Sequence, residues 1–113
     1  IDVAQPDVAR AGGITEIRRI AALASARGVK VAPHAWGSGV LFAASIHLAM
    51  ALPNTHILEV SQGYMPMMNE LFNEEYDIRE GRVYPPTKPG IGFTLRDDAM
   101  ERFKYVEGPE YVF

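Results

Sequence analysis

Residues Val29–Val60 read VKVAPHAWGSGVLFAASIHLAMALPNTHILEV. Val29 to Ala32 is a short apolar run that reads as a strand, and Pro33-His34 ends it. Ser38 to Leu52 follows as a helix that is apolar on most sides, which predicts that it is largely buried. Pro53-Asn54 stops this helix, and His56 to Val60 reads as a further strand. Working back towards the start, Ile1 to Gln5 is another strand-like segment, ended by Pro6-Asp7. Between the first two strands, Ile14 to Arg27 carries Ile14, Ile17, Ile20, Ala21, Leu23 and Ala24. These positions form one face at a period of 3.6, and Gly28 is a natural helix stop.

Strand, helix, strand, helix, strand at this spacing predicts parallel strands joined by right-handed crossovers, hence an α/β fold. Both a doubly wound sheet and a barrel are built this way. The Gly12-Gly13 pair lacks the third glycine and the following acidic residue of a dinucleotide fingerprint, which favours the barrel. Beyond Ser61 the repeat stops. Gly63 to Asn73 reads as irregular, with Met65, Met67 and Met68 as gap-filling packing residues. Tyr76 to Pro85 reads as a hairpin, and Pro85 to Gly92 as a turn-rich loop. Asp97 or Asp98 is expected to cap a short last helix running to Phe103. The chain thus divides into residues 1–61, which hold the βα units, and residues 62–113, an extension that packs elsewhere.

Composition narrows the function classes. The 113 residues are 48% hydrophobic and 22% charged, with net charge −3. That balance belongs to a folded globular protein. No basic run marks a nucleic-acid footprint. The absence of cysteine excludes disulfides and thiolate chemistry. The longest apolar stretch, Gly39 to Leu52, is broken by Ser45 and His47 and falls short of the ~20 residues that span a bilayer. The chain opens at Ile1, inside what reads as a strand, so the expectation is a piece of a longer protein.

In parallel βα folds the reactive groups sit at the C-terminal ends of the strands. Asp7, His34 and Glu59 occupy that position on the three successive strands. Neighbouring parallel strands lie ~4.8 Å apart, so Asp7 and His34 are within reach of a hydrogen bond. The carboxylate would fix the imidazole tautomer and suit it to general base work. Each residue also has a plainer reading: Asp7 as a turn residue, His34 as a loop histidine, Glu59 as a solvated strand end. His47 reads as a packed or surface histidine on its apolar helix. His56 falls at the opposite end of its strand from the site. Glu74-Glu75 and Asp97-Asp98 read as solvated pairs.

The segments Gln5-Pro6-Asp7, Ala11 to Glu16, Ala32 to Ser38 (APHAWGS) and Ile57-Leu58-Glu59 resemble the C-terminal end of the enolase superfamily. More narrowly they resemble its mandelate racemase group, and Pro89-Gly90-Ile91-Gly92 resembles the closing segment of that family. The resemblance implies the last three strands of a modified TIM barrel, (β/α)7β, with an extension returning to a capping domain absent from this chain. It implies that His34 is the general acid/base and Asp7 its dyad partner. It further implies that Glu59 is the acid that hydrogen-bonds the substrate carboxylate. The muconate lactonizing group would carry a lysine where Asp7 stands.

The reaction implied is removal of the α-proton of a carboxylate substrate to give an enediolate, with Mg²⁺ and hydrogen-bond donors stabilising the charge. The Mg²⁺ ligands and a further catalytic lysine fall on strands that precede this chain, so no residue here is assigned to metal. Acid-sugar dehydration is the first expectation, racemisation or epimerisation the second, and a non-catalytic α/β module the third. Trp36, two residues past His34, either lines the substrate pocket or packs under the loop. The implied partners are a sugar acid or other small carboxylate and further copies of the full-length enzyme, in the cytoplasm.

Overall fold

A computed structural model describes residues 1–108 of the chain. Two βα units stand first: β1 (Val3–Ala4), α1 (Gly13–Ser25), β2 (Lys30–Val31) and α2 (Gly39–Ala51). β1 and β2 are parallel, with Val3 opposite Lys30 and Ala4 opposite Val31. The extension adds α3 (Pro66–Asn69), an antiparallel hairpin of β3 (Ile78–Arg79) and β4 (Arg82–Val83), and α4 (Ala99–Arg102). Glu80 and Gly81 turn the hairpin with φ of 53° and 70°, the left-handed pair of a tight type I′ turn.

The third strand expected at His56 to Val60 does not form. Only one parallel bridge, Val31 opposite Thr55, continues the sheet, with the His56 amide donating to Val31 O at 2.8 Å. The cause lies in β2. Pro33 removes a ladder donor immediately after Ala32, and beyond the His56 amide residues 57–60 belong to no strand among the described residues. The strand order nonetheless runs consecutively, with β2 between β1 and Thr55.

α2 explains how the molecule holds together. Leu41 and Leu48 face α1 and share a cluster with Val8 and Ile17. Phe42 and Ile46 meet Ala35 and Met68. Ala43 meets Leu71, Phe72 and Ala99. A helix with neighbours on three sides needs apolar residues all round, which is what its sequence provides. Phe42 is fully buried, and removing a side chain of its size from water contributes ~1.5–3 kcal/mol. Ser38 caps α2, its Oγ accepting from the Leu41 amide at 3.3 Å.

Details of the extension depart from expectation. The stretch read as irregular contains α3, started by Pro66, whose fixed φ suits a first helical position. Met68 is buried as a packing residue, whereas Met67 is exposed. Asp98 stands at the N-cap of α4 but makes no side-chain cap; its carboxylate accepts from Arg96 Nε at 3.1 Å instead. Glu74 is not merely solvated: its carboxylate accepts from Lys88 Nζ, from the Thr94 amide at 2.7 Å and from Thr94 Oγ1 at 3.0 Å. These partners hold the carboxyl down at about 2, the Lys88 ammonium contributing most.

Candidate active site

Asp7 and His34 pair as a parallel bridge beyond the ends of β1 and β2, the His34 amide donating to Pro6 O at 3.2 Å. The backbone therefore sets the two side chains next to each other before any side-chain contact is made. His34 Nδ1 lies 2.8 Å from Asp7 Oδ2. An ionised carboxylate only accepts, so Nδ1 donates this hydrogen bond, and in the neutral ring Nε2 keeps its lone pair.

The plain reading of Asp7 and the functional one hold together. Its Oδ1 accepts from the Ala9 amide at 2.8 Å and the Arg10 amide at 3.2 Å, closing the turn after β1. Its Oδ2 holds His34. Asp7 is buried, with 7% of its surface exposed, while the His34 side chain is 36% exposed. The carboxylate is thus fixed from both sides and the imidazole opens on one.

Glu59 completes the group. Its Oε2 accepts from the Ala35 amide at 3.3 Å and lies 3.9 Å from His34 Nε2. That second distance is too long for a hydrogen bond. Nε2 and the Glu59 carboxyl therefore lie side by side, close enough for one bound group to touch both. Trp36 is 56% exposed.

The described residues do not fit a Mg²⁺ site. No group of three or more His, Asp or Glu among them is placed to hold an ion. Asp7 has both oxygens committed, and Mg²⁺ requires a near-octahedral oxygen shell. His56 is exposed at the far end from the site. His47 is not idle: its Nε2 lies 3.0 Å from Ile91 O and ties α2 to the 89–92 loop. Nothing local in the sequence marks that contact. No helix among the described residues is long and apolar enough to cross a membrane.

Residues 1–99 match the family model for enolase C-terminal domain-like proteins. The chain is 33% identical over 112 residues to D-galactarolactone cycloisomerase of Agrobacterium fabrum, covering 92% of this chain and 30% of that protein. It is 38% identical over 107 residues to a D-galactonate dehydratase family member of Streptomyces bingchenggensis, covering 93% and 26%. The fold superposes on a crystal structure of an enolase superfamily member from Polaromonas sp. JS666 with a TM-score of 0.85 and 35% identity. That superposition covers 100% of this chain and 30% of the other. The chain thus spans less than a third of the length of these relatives.

Proposed function

Since the chain belongs to the enolase superfamily, through the C-terminal domain that residues 1–99 match, we propose that it carries the base of an enzyme that removes the α-proton of a carboxylate substrate. The observation that supports this most directly is the 2.8 Å contact of His34 Nδ1 with Asp7 Oδ2. In the neutral ring it leaves Nε2, 3.9 Å from Glu59 Oε2, as the base.

In this reading His34 Nε2 takes the α-proton. Asp7 holds the ring in the correct tautomer and balances the charge that forms on it. Glu59 binds the substrate carboxylate, and Trp36 lines the pocket mouth. His34, then protonated, is placed to protonate a departing β-hydroxyl, which makes acid-sugar dehydration the leading assignment. The D-galactonate dehydratase family member from Streptomyces is consistent with this. The cycloisomerase from Agrobacterium is a relative with a different outcome, so the shared element would be the carboxylate substrate. Mg²⁺ would neutralise the enediolate charge, held by carboxylates outside this chain. Residues 1–61 would complete the barrel, and residues 62–113 would reach towards the capping domain. Cytoplasmic placement and a homo-oligomeric enzyme belong to the same proposal.

The test is α-proton exchange into a panel of sugar acids in D₂O with Mg²⁺, using the intact protein. Exchange is expected, and His34→Asn should abolish it. A well-folded protein that exchanges no α-proton would favour a non-catalytic α/β module. Exchange with inversion and no loss of water would instead favour a racemase or epimerase.

A further inference from the structure

Tyr76 lies in the extension, yet its hydroxyl sits 3.2 Å from Gly39 O and 3.2 Å from Met68 O. Gly39 is the first residue of α2 and is joined to His34 by the short loop of Ala35 to Ser38. The Tyr76 ring packs edge-on to Phe42, with centroids 4.7 Å apart, and to Phe93 at 5.1 Å. Phe42 belongs to the same buried cluster as Ala35, against which Leu58 and Tyr76 also pack. Ala35 supplies the amide that holds Glu59, and Leu58 is the neighbour of Glu59. Tyr76 therefore touches the floor beneath both His34 and Glu59 without reaching the site.

Two further observations show that the fit is close. A Cβ on Gly39 would lie 2.8 Å from Tyr76 Oη, 3.0 Å from Phe72 Cε2 and 3.2 Å from Met68 O, so the extension is seated on bare backbone. The phenol, which burial pushes up to about 12, has a single proton, and it is shared between the two carbonyls.

We propose that Tyr76 is a positioning residue of the site: its hydroxyl fixes the first turn of α2, and through the 35–38 loop it holds the Ala35 amide on Glu59 and His34 opposite. The functional half of this statement rests on His34 and Glu59 acting as assigned above; the structural half does not.

The test compares Tyr76→Phe with Thr94→Val in the intact protein, with alanine and histidine labelled with ¹⁵N. Thr94→Val removes the hydroxyl contact to Glu74, which involves neither Tyr76 nor Gly39. Tyr76→Phe is expected to move the Ala35 amide and His34 imidazole signals while far-UV dichroism stays unchanged. Thr94→Val is expected to leave both signals in place. Where α-proton exchange is present, Tyr76→Phe should lower kcat about 2- to 10-fold, the worth of one neutral hydrogen bond, with KM nearly unchanged.

Unmoved Ala35 and His34 signals in a folded Tyr76→Phe protein would overturn the proposal, as would equal movement in Thr94→Val. Gly39→Ala intrudes on the hydroxyl from the other side and serves if Tyr76→Phe fails to fold. It should displace the same two signals, and their constancy would also overturn the proposal. Moved signals in a protein with no exchange activity would leave the positioning intact and reject the enzymatic reading instead.

Discussion

Asp7→Asn is the change that most directly tests why the Asp7–His34 pair takes the form it does. Oδ1 of Asp7 faces two amide donors, those of Ala9 and Arg10. A side-chain NH₂ placed there would meet two N–H groups, so the asparagine must keep its oxygen on the turn. Its NH₂ is then directed at His34 Nδ1, which lies 2.8 Å from the atom it replaces. Facing a donor, Nδ1 has to accept, and the ring proton moves to Nε2. The nitrogen that faces Glu59 then carries a hydrogen and no longer acts as a base. The turn keeps its acceptor and a buried charge is removed, so the fold should survive.

The size of the effect can be bracketed. Loss of a hydrogen bond to a charged group is worth ~1.5–3 kcal/mol, or about 10- to 150-fold in rate. Reversal of the tautomer of a catalytic imidazole by the same carboxylate-to-amide change costs about 10⁴-fold in a serine protease triad. Exchange of the α-proton should therefore fall by at least tenfold and by as much as 10⁴-fold. Nitrogen NMR of labelled histidine reads the tautomer directly and needs no activity. A His34 ring still protonated on Nδ1 in Asp7→Asn, or an exchange rate within threefold of the parent, would refute the reasoning.

Other parts of the molecule give two more expectations. The folded value of about 2 at Glu74 lies below its ordinary 4.5. Its brace on Thr94 is therefore complete above about 4.5 and is lost only as the pH falls towards 2. The Thr94 amide shift should hold steady from pH 7 down to about 3, and a transition centred near 4.5 would sink this account. The second concerns the 113-residue chain made alone. An open groove lined by Met50, Ile57, Leu58, Val60 and Tyr84 runs along the segment 57–60, which forms no strand. Such a chain should associate or unfold at low denaturant, as sedimentation and urea titration would reveal. A monomer with one sharp unfolding transition would contradict this.

The grouping of Asp7, His34 and Glu59 was legible from the sequence because these residues occupy repeated positions. Asp7 and His34 each end a strand just after a proline, and Glu59 ends the segment after α2. Parallel pairing brings Asp7 and His34 together, and the Ala35 amide then holds Glu59 beside them. The third strand was not legible to the same degree. An apolar run shows a preference for extended backbone, whereas a strand also needs a partner with free donors, and β2 offers only one before Pro33. The contacts His47 to Ile91, Tyr76 to Gly39 and Glu74 to Thr94 span 44, 37 and 20 residues. Each joins a side chain to distant backbone and carries no periodic signature, so nothing local announces it.

One of these was nonetheless implicit in α2. A helix apolar on most sides needs cover on every side, and two neighbours, α1 and the sheet, leave one face bare. Residues before Ser61 are already used in those neighbours, so the remaining cover has to come from the extension. Leu71, Phe72 and Ala99 supply it against Ala43, and Met68 and Tyr76 supply it against Phe42. Periodicity identifies an uncovered face but not the residue that covers it. That residue is Tyr76 at the first turn, where the helix starts immediately beyond the histidine loop. The extension is thus required by the core of α2, and the same requirement brings it to the underside of the site.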